Sequence, residues 1–234
     1  MLSRHGACAV KHTHAPHIHA VQSVLRVLVV AVFILTFIAQ PDRIPSGSMQ
    51  PTLQIGDFML VNKLAFVRGL HLLPPRRIER GDIIIFRLPV DPEHLLIKRV
   101  VAVPGDRFHL RHGRVVLNGV RLNEPYARFT SGTTDPYRDG FPSLHASDPD
   151  VDPAWWVELR RDTRAGDLYV PAHKYFVLGD DRDHSDDSRY WGFVPVEDIE
   201  GSPIGVYYSL AAAEVATNPV ERLSLGLSQA HLLH

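Results

Sequence analysis

Cysteine is all but missing from this 234-residue chain; the single one is Cys8. Without a second thiol no intramolecular disulfide can form, so stability must come from packing whatever the compartment. An excess of charge is missing too, since 25 basic and 26 acidic residues leave a net charge of −1. That removes the footprint of a polyanion-binding protein, and no nucleic-acid partner is expected. Hydrophobic residues make up 45%, ordinary for a folded chain and too few for a multi-span membrane protein. Repeats and long amphipathic helices are absent from residues 44–208. Acids are absent from the start of the chain, the first being Asp42. The length suffices for one or two domains with a substantial core.

One apolar stretch stands out. Val27 to Ala39 reads VLVVAVFILTFIA. It is short for a span of about 20 residues, but Arg26 before it can snorkel to the headgroups. Arg4 and Lys11 precede it, with no acid before Asp42. The positive-inside rule then places residues 1–20 in the cytoplasm, a transmembrane anchor at 21–40 and the rest outside. A cleavable signal peptide would need a small-residue junction, and Ile38-Ala39-Gln40-Pro41 puts proline just after the candidate. A buried core helix is the other alternative. His5, His12, His14, His17 and His19 crowd the tail; metal binding is one reading, a disordered polar tail the plainer one.

Beyond the anchor lie short apolar runs bounded by Gly, Pro and Asp: Phe58–Val61, Ile83–Leu88, Leu95–Val103, Arg114–Leu117, Trp155–Leu159, Tyr175–Leu178 and Ile204–Tyr208. Their lengths and β-branched content predict strands. Arg80-Gly81-Asp82 and Pro104-Gly105-Asp106 read as turns, and Asn118-Gly119 as a hairpin turn. Residues from about 130 to 153 are rich in Pro, Asp, Ser and Gly and read as a long loop. The fold expected is mainly β. An antiparallel catalytic core spans 41–106 and 174–210, a smaller β subdomain is inserted at 107–173, and a weakly patterned tail covers 211–234.

Three segments carry chemistry. Ser48 sits in Ile44-Pro45-Ser46-Gly47-Ser48-Met49, where Pro45 restricts the backbone and Gly47 allows a sharp turn. A serine needs a base to become a nucleophile, and lysine serves if it loses its proton. Lys98 lies among Leu95, Leu96, Ile97, Val100 and Val101. At a free pKa of about 10.4 only about one lysine in 2,500 is neutral at pH 7, adding about 4.6 kcal/mol to the barrier. Burial that lowers the pKa to about 8 reduces this to roughly 1.4 kcal/mol. Read alone, Lys98 is better taken as a solvent-facing edge lysine and Ser48 as a polar turn at a strand start. The third segment, residues 179–195, holds Asp180, Asp181, Asp183, Asp186 and Asp187 with Arg182 and Arg189. It reads as a solvated acidic loop, a calcium loop whose spacing is not that of an EF-hand, or, through Asp183-His184-Ser185, part of a Ser-His-Asp arrangement.

Taken together, IPSGSMQPTLQIGD, RGDIIIF, IKRVVAVPGD and GDDRDHSDDSRYWGFVP resemble the bacterial type I signal peptidases, the leader peptidase family with its Ser-Lys dyad. The stretches occur in the family's order and cover most of 44–106 and 174–208. The resemblance implies a mainly antiparallel β fold and a membrane-bound serine endopeptidase on the outer side of the bacterial inner membrane. Its partners are the lipid bilayer and the signal peptides of exported preproteins, cut after small residues in an Ala-X-Ala pattern. It implies neither metal nor cofactor. Carried over by position, Ser48 is the nucleophile and Lys98 the general base. Ser46 joins the Ser48 N–H in the oxyanion hole, and Ser185 orients the lysine. Asp187 with Arg189, and Asp180 with Arg99, are supporting ion pairs. Ile44, Pro45, Met49, Leu53, Leu96 and Ile97 line the substrate cleft. The chain departs from the family at Asp181, in place of a frequent Asn, and at Asp42, where some relatives are apolar near the cleft. Two rivals are a related Ser-Lys processing enzyme of conjugative-transfer type and a non-catalytic, membrane-anchored β domain that binds preproteins.

Overall fold

Short β-branched runs separated by turn residues cannot bury an apolar face alone, and here they close it by pairing edge to edge. The computed structural model describes residues 16–37, 39–63, 77–145, 148–210, 227 and 231–233. The chain is mainly β, in two antiparallel sheets. A helix, α1 (Pro16–Phe37), leads into β1 (Ala39–Arg43), β2 (Asp57–Asn62), β3 (Ile83–Leu88) and β4 (Asp91–Ala102). Then come β5 (Arg107–Arg111), β6 (Arg114–Leu117), β7 (Val120–Arg121), α2 (Pro136–Asp139), α3 (Pro153–Asp162), β8 (Thr163–Arg164) and β9 (Asp167–Tyr169). The chain returns through β10 (Lys174–Leu178), α4 (Ser188–Trp191), β11 (Val194–Pro195), β12 (Ile199–Ser209) and β13 (His231–Leu232).

The larger sheet runs β1-β2-β12-β3-β4-β10-β11, with β13 on the flank of β12; the smaller runs β7-β6-β5-β9-β8. Register decides what β4 presents. Ile84 pairs with Lys98 and Ile83 with Arg99, so neighbouring cations point to opposite faces. One face buries Ile44, Met49, Leu53, Met59, Val61, Ile83, Ile85 and Val206. The other buries Ile84, Phe86, Val100, Val177, Trp191, Val194 and Ile199. A third cluster joins the sheets, packing Phe108, Leu110, Val115 and Leu117 of the smaller one against Phe176 and Leu178 of β10. The Phe108 and Phe176 rings lie 4.5 Å apart, and full burial of each such ring stabilises by roughly 1.5–3 kcal/mol.

Six of the seven expected strands form. The hairpin forms too: Asn118 (φ 54°) and Gly119 (φ 84°) are both left-handed, as a two-residue hairpin turn demands. Trp155–Leu159 is the exception, being part of helix α3. The Asp152 carboxylate caps the helix by accepting from the Ala154 and Trp155 N–H groups, and Pro153 opens it. That capping signal outweighs a five-residue aromatic and branched run, and Trp155 and Leu159, four apart, share its buried face. The loop expected over 130–153 also holds the short helix α2.

Helix α1 begins earlier than the expected anchor and carries half-exposed or more exposed apolar side chains around its axis, from Val21 and Val24 to Val32 and Phe33. Among the described residues no helix is long and apolar enough to cross a membrane. His19, Gln22, Ser23 and Arg26 interrupt its first half. Cys8, His5, His12, His14 and most of the tail 211–234 lie outside the described residues.

Candidate active site

Ser48 sits in the turn between β1 and β2. The turn is held at its base, where the Ile44 N–H donates to Asp57 O and the Gly56 N–H to Ile44 O, both at 2.9 Å. Lys98 reaches it from β4, its Nζ donating to Ser48 Oγ at 2.7 Å. Only 3% of Lys98 is exposed. That burial pushes its ammonium down from 10.5 to about 8. Asp187 and Asp186 pull the other way, and Arg189 reinforces the fall. Ser46 Oγ lies 3.5 Å from Ser48 Oγ on the exposed side.

The third segment packs beneath this pair. The Asp181 N–H donates to Ser48 O at 3.0 Å. Asp187 and Arg189 form a sealed bidentate pair, both contacts at 2.8 Å. Burial pushes the Asp187 carboxyl up, but the Arg189 guanidinium outweighs it and holds the group below the usual carboxylate range. Asp187 also accepts the Gly179 N–H at 3.1 Å. Arg99, on the opposite face of β4 from Lys98, grips Asp180 through Nε at 2.8 Å and Nη2 at 2.7 Å.

Ser185 is buried in this loop, but its Oγ finds no hydrogen-bond partner among the described residues. The bond to Lys98 that the resemblance implies is not made here. Ile44, Met49, Leu53 and Ile97 share one apolar cluster, in which the first three are buried and line no open cleft. Leu96 packs on the other face with Ile84, Phe86 and Val100, because strand alternation turns it away from Ile97, and Pro45 is exposed. Three of the five acids of the segment turn to separate partners: Asp180 to Arg99, Asp183 to the Thr130 and Ser131 N–H groups, Asp187 to Arg189. Among the described residues no group of three or more His, Cys, Asp or Glu side chains is placed to hold a metal ion. His184 is exposed and contacts Asp181 at 3.2 Å; Ser48 has Lys98 as its partner instead.

A family model for signal peptidase, peptidase S26, matches residues 17–208. The chain belongs to that family. It is therefore a serine peptidase of the signal peptidase I type. The signal peptidase I of Pseudomonas fluorescens is 36% identical over 80% of this chain and 71% of its own length. That of Aquifex aeolicus is 33% identical over 78% and 81%. A solved signal peptidase I from Enterococcus faecalis is 32% identical, with a TM-score of 0.40, and covers 54% of this chain and 97% of its own.

Three residues of the site escape the sequence reading. Thr52 Oγ1 donates to Asp180 Oδ2 at 2.5 Å, bracing the Ser48 turn against the third segment. Gly179 is pressed against the site: a Cβ there would lie 2.2 Å from Ser185 Oγ and 2.5 Å from Ser48 O. Both sit within the motif stretches, which is the only signal that marks them. Tyr126 supports the Arg99 guanidinium 4.0 Å above its ring, and the sequence has no mark for it. Asp186, read in the sequence only as one acid of the loop, keeps an exposed side chain whose carboxyl is partly enclosed, and that burial first and then the Asp187 charge raise it. It acts on Lys98 through its charge.

Proposed function

We propose that this chain is a membrane-anchored endopeptidase that removes signal peptides from exported preproteins, with Ser48 as nucleophile and Lys98 as general base. The observation that carries the reading is the 2.7 Å contact of Lys98 Nζ with Ser48 Oγ, made by a lysine that burial brings to about 8. Near neutral pH about a tenth of such lysines are uncharged, against about one in thousands in water. Neutral Nζ takes the proton from Ser48 Oγ, which attacks the scissile carbonyl carbon. The oxyanion falls to the Ser48 N–H and the Ser46 hydroxyl. The C–N bond breaks as the Lys98 ammonium protonates the leaving amine. Lys98 then takes a proton from water, the hydroxide adds to the acyl carbon, and the Lys98 ammonium returns that proton to Ser48 Oγ as the ester bond breaks.

Substrate geometry follows from the sheet. β10 pairs with β4 only from Arg99 to Ala102, so residues 91–97 of β4 have one edge to offer an extended peptide. Ile44, Met49, Leu53 and Ile97 form one apolar cluster; the first three are buried, so the partly exposed Ile97 is the member left to meet the small side chains of an Ala-X-Ala site. The apolar side chains that α1 exposes from Val27 to Phe33 favour a lipid environment, since an apolar helix surface is not stable in water. The reading divides the chain into a cytoplasmic tail, an anchor, a catalytic core at 41–106 and 174–210, and an insert at 107–173. It places the core on the outer side of the inner membrane.

Detergent-solubilised protein incubated with a preprotein bearing an Ala-X-Ala site should release a product whose new N-terminus follows the second alanine. Ser48→Ala and Lys98→Ala should each abolish that cleavage while leaving the fold intact. Substantial cleavage by purified Lys98→Ala protein would remove the dyad from the mechanism.

A further inference from the structure

Residues 124–130, between β7 and α2, run alongside the loop that supports Ser48. The Arg128 N–H donates to Asp180 O at 2.7 Å, and the Arg182 N–H donates to Arg128 O at 3.0 Å. Arg128 and Asp181 form a parallel bridge. From its other side the same short segment, Gly179–Arg182, donates the Asp181 N–H to Ser48 O. A single thickness of backbone therefore separates the smaller-sheet region from the nucleophile.

The side chain of Arg182 fixes that backbone in place. Its Nη2 and Nη1 meet Glu124 at 2.6 and 3.2 Å, and its Nε donates to Gly179 O at 2.9 Å. Both side chains are nearly sealed, 2% and 1% exposed. Glu124 in turn accepts from the Val115 N–H in β6 and from Tyr126 Oη, both at 3.3 Å. The Arg182 carbonyl accepts from Arg189 Nη2 at 2.8 Å, joining this pair to the Asp187–Arg189 pair below Lys98. Sealing two charges from water is an inefficient way to stabilise a fold, since apolar residues of the same volume do it as well or better. A bidentate fork does something they cannot: it sets a distance and an angle.

We infer that the Glu124–Arg182 pair is a positioning element of the active site, through which the region between β7 and α2 holds Gly179–Arg182, and with it Ser48, in register with Lys98. The inference rests on the dyad reading above. Neither residue touches Ser48 or Lys98; both act through the intervening backbone.

The test uses the full chain in detergent, with Glu124→Gln as the primary variant and Leu159→Ala, in the core between the sheets, as a matched destabilised control. Three quantities are read: melting temperature, kcat and KM on the preprotein, and the titration of Lys98 Nζ by NMR of ¹⁵N-lysine-labelled protein. Folded Glu124→Gln should lose about 10²-fold in kcat, the loss expected for a displacement of about 1 Å. KM should change little, and the Lys98 titration should move up from about 8 as water enters. Leu159→Ala should melt lower with kcat and titration unmoved. Wild-type kcat and titration in folded Glu124→Gln would overturn the inference, and so would an equal loss of kcat in Leu159→Ala. If Glu124→Gln does not fold, the double variant Glu124→Leu/Arg182→Met, which buries no lone charge, decides by the same criteria. Failure of the wild type to cut any preprotein would sink the proposed function, whereas the Lys98 titration needs no substrate and still reads the positioning.

Discussion

Replacing Lys98 by methionine should make this protein more stable and leave it inactive. Lys98 is 3% exposed and titrates near 8 in the folded chain against 10.5 in water. The gap of roughly 2.5 units corresponds to about 3 kcal/mol at 1.36 kcal/mol per unit. Below pH 8 the lysine is charged in both folded and unfolded chains, and the full cost of burying the charge is present. Between pH 8 and 10.5 only the unfolded chain keeps the proton, so wild-type stability rises with pH. Above 10.5 both forms are neutral and the cost is gone. Methionine has a similar length and no charge, so Lys98→Met should melt roughly 6–12 °C higher at pH 7, taking 2–4 °C per kcal/mol for a chain of this size. Its advantage should shrink steadily above pH 8 and largely vanish by 10.5. Thermal melts of both proteins at several pH values, in one detergent, measure this. A Met variant that melts below the wild type at pH 7, or an advantage of equal size at pH 7 and 10.5, would refute the reasoning.

Gly179→Ala places a methyl 2.2 Å from Ser185 Oγ and 2.5 Å from both Ser185 Cβ and Ser48 O, about 1 Å inside ordinary contact. It should cost about 1–3 kcal/mol of stability and about 10²-fold in kcat, checked by melting and steady-state kinetics. In the wild type kcat/KM should fall about tenfold per unit of pH below the Lys98 value of about 8; a profile flat down to pH 6 would contradict a lysine base. Asp186→Asn removes a charge that holds the Lys98 ammonium up, so the acid limb of the same profile should move to lower pH. Cleavage should be unchanged by a chelator, since no step of the dyad chemistry uses a metal; loss of activity would revive the calcium alternative.

What could be read from the sequence was whatever depends on neighbours along the chain. Alternation along β4 placed Leu96 and Val100 with Lys98 and turned Arg99 away, and the register with β3 bears this out. The Asn118-Gly119 turn needed only its own φ angles. Trp155–Leu159 failed because the deciding signal, the Asp152-Pro153 cap, lay outside the run. The grip of Glu124 on Arg182 and the support of Arg99 by Tyr126 join residues far apart in sequence, and periodicity says nothing about such partners. Ser185 shows the limit of a matched position: its place in the loop fixes its burial but not the bond its hydroxyl makes.

The alternation of Lys98 and Arg99 on β4 has a consequence for how this chain can change. They are adjacent, yet in the proposed mechanism Lys98 gives up its proton beside Ser48 while Arg99 stays paired with Asp180. Between β3 and β4 the connection is only Pro89 and Val90. A one-residue slip of β4 against β3 would exchange the two side chains between the faces of the sheet. Composition, net charge and burial would barely alter, but a guanidinium that stays protonated would sit where a base is required. A longer or shorter turn that keeps Ile84 opposite Lys98 leaves both side chains in place, so the site depends on the register of the pleat and not on the length of the connection.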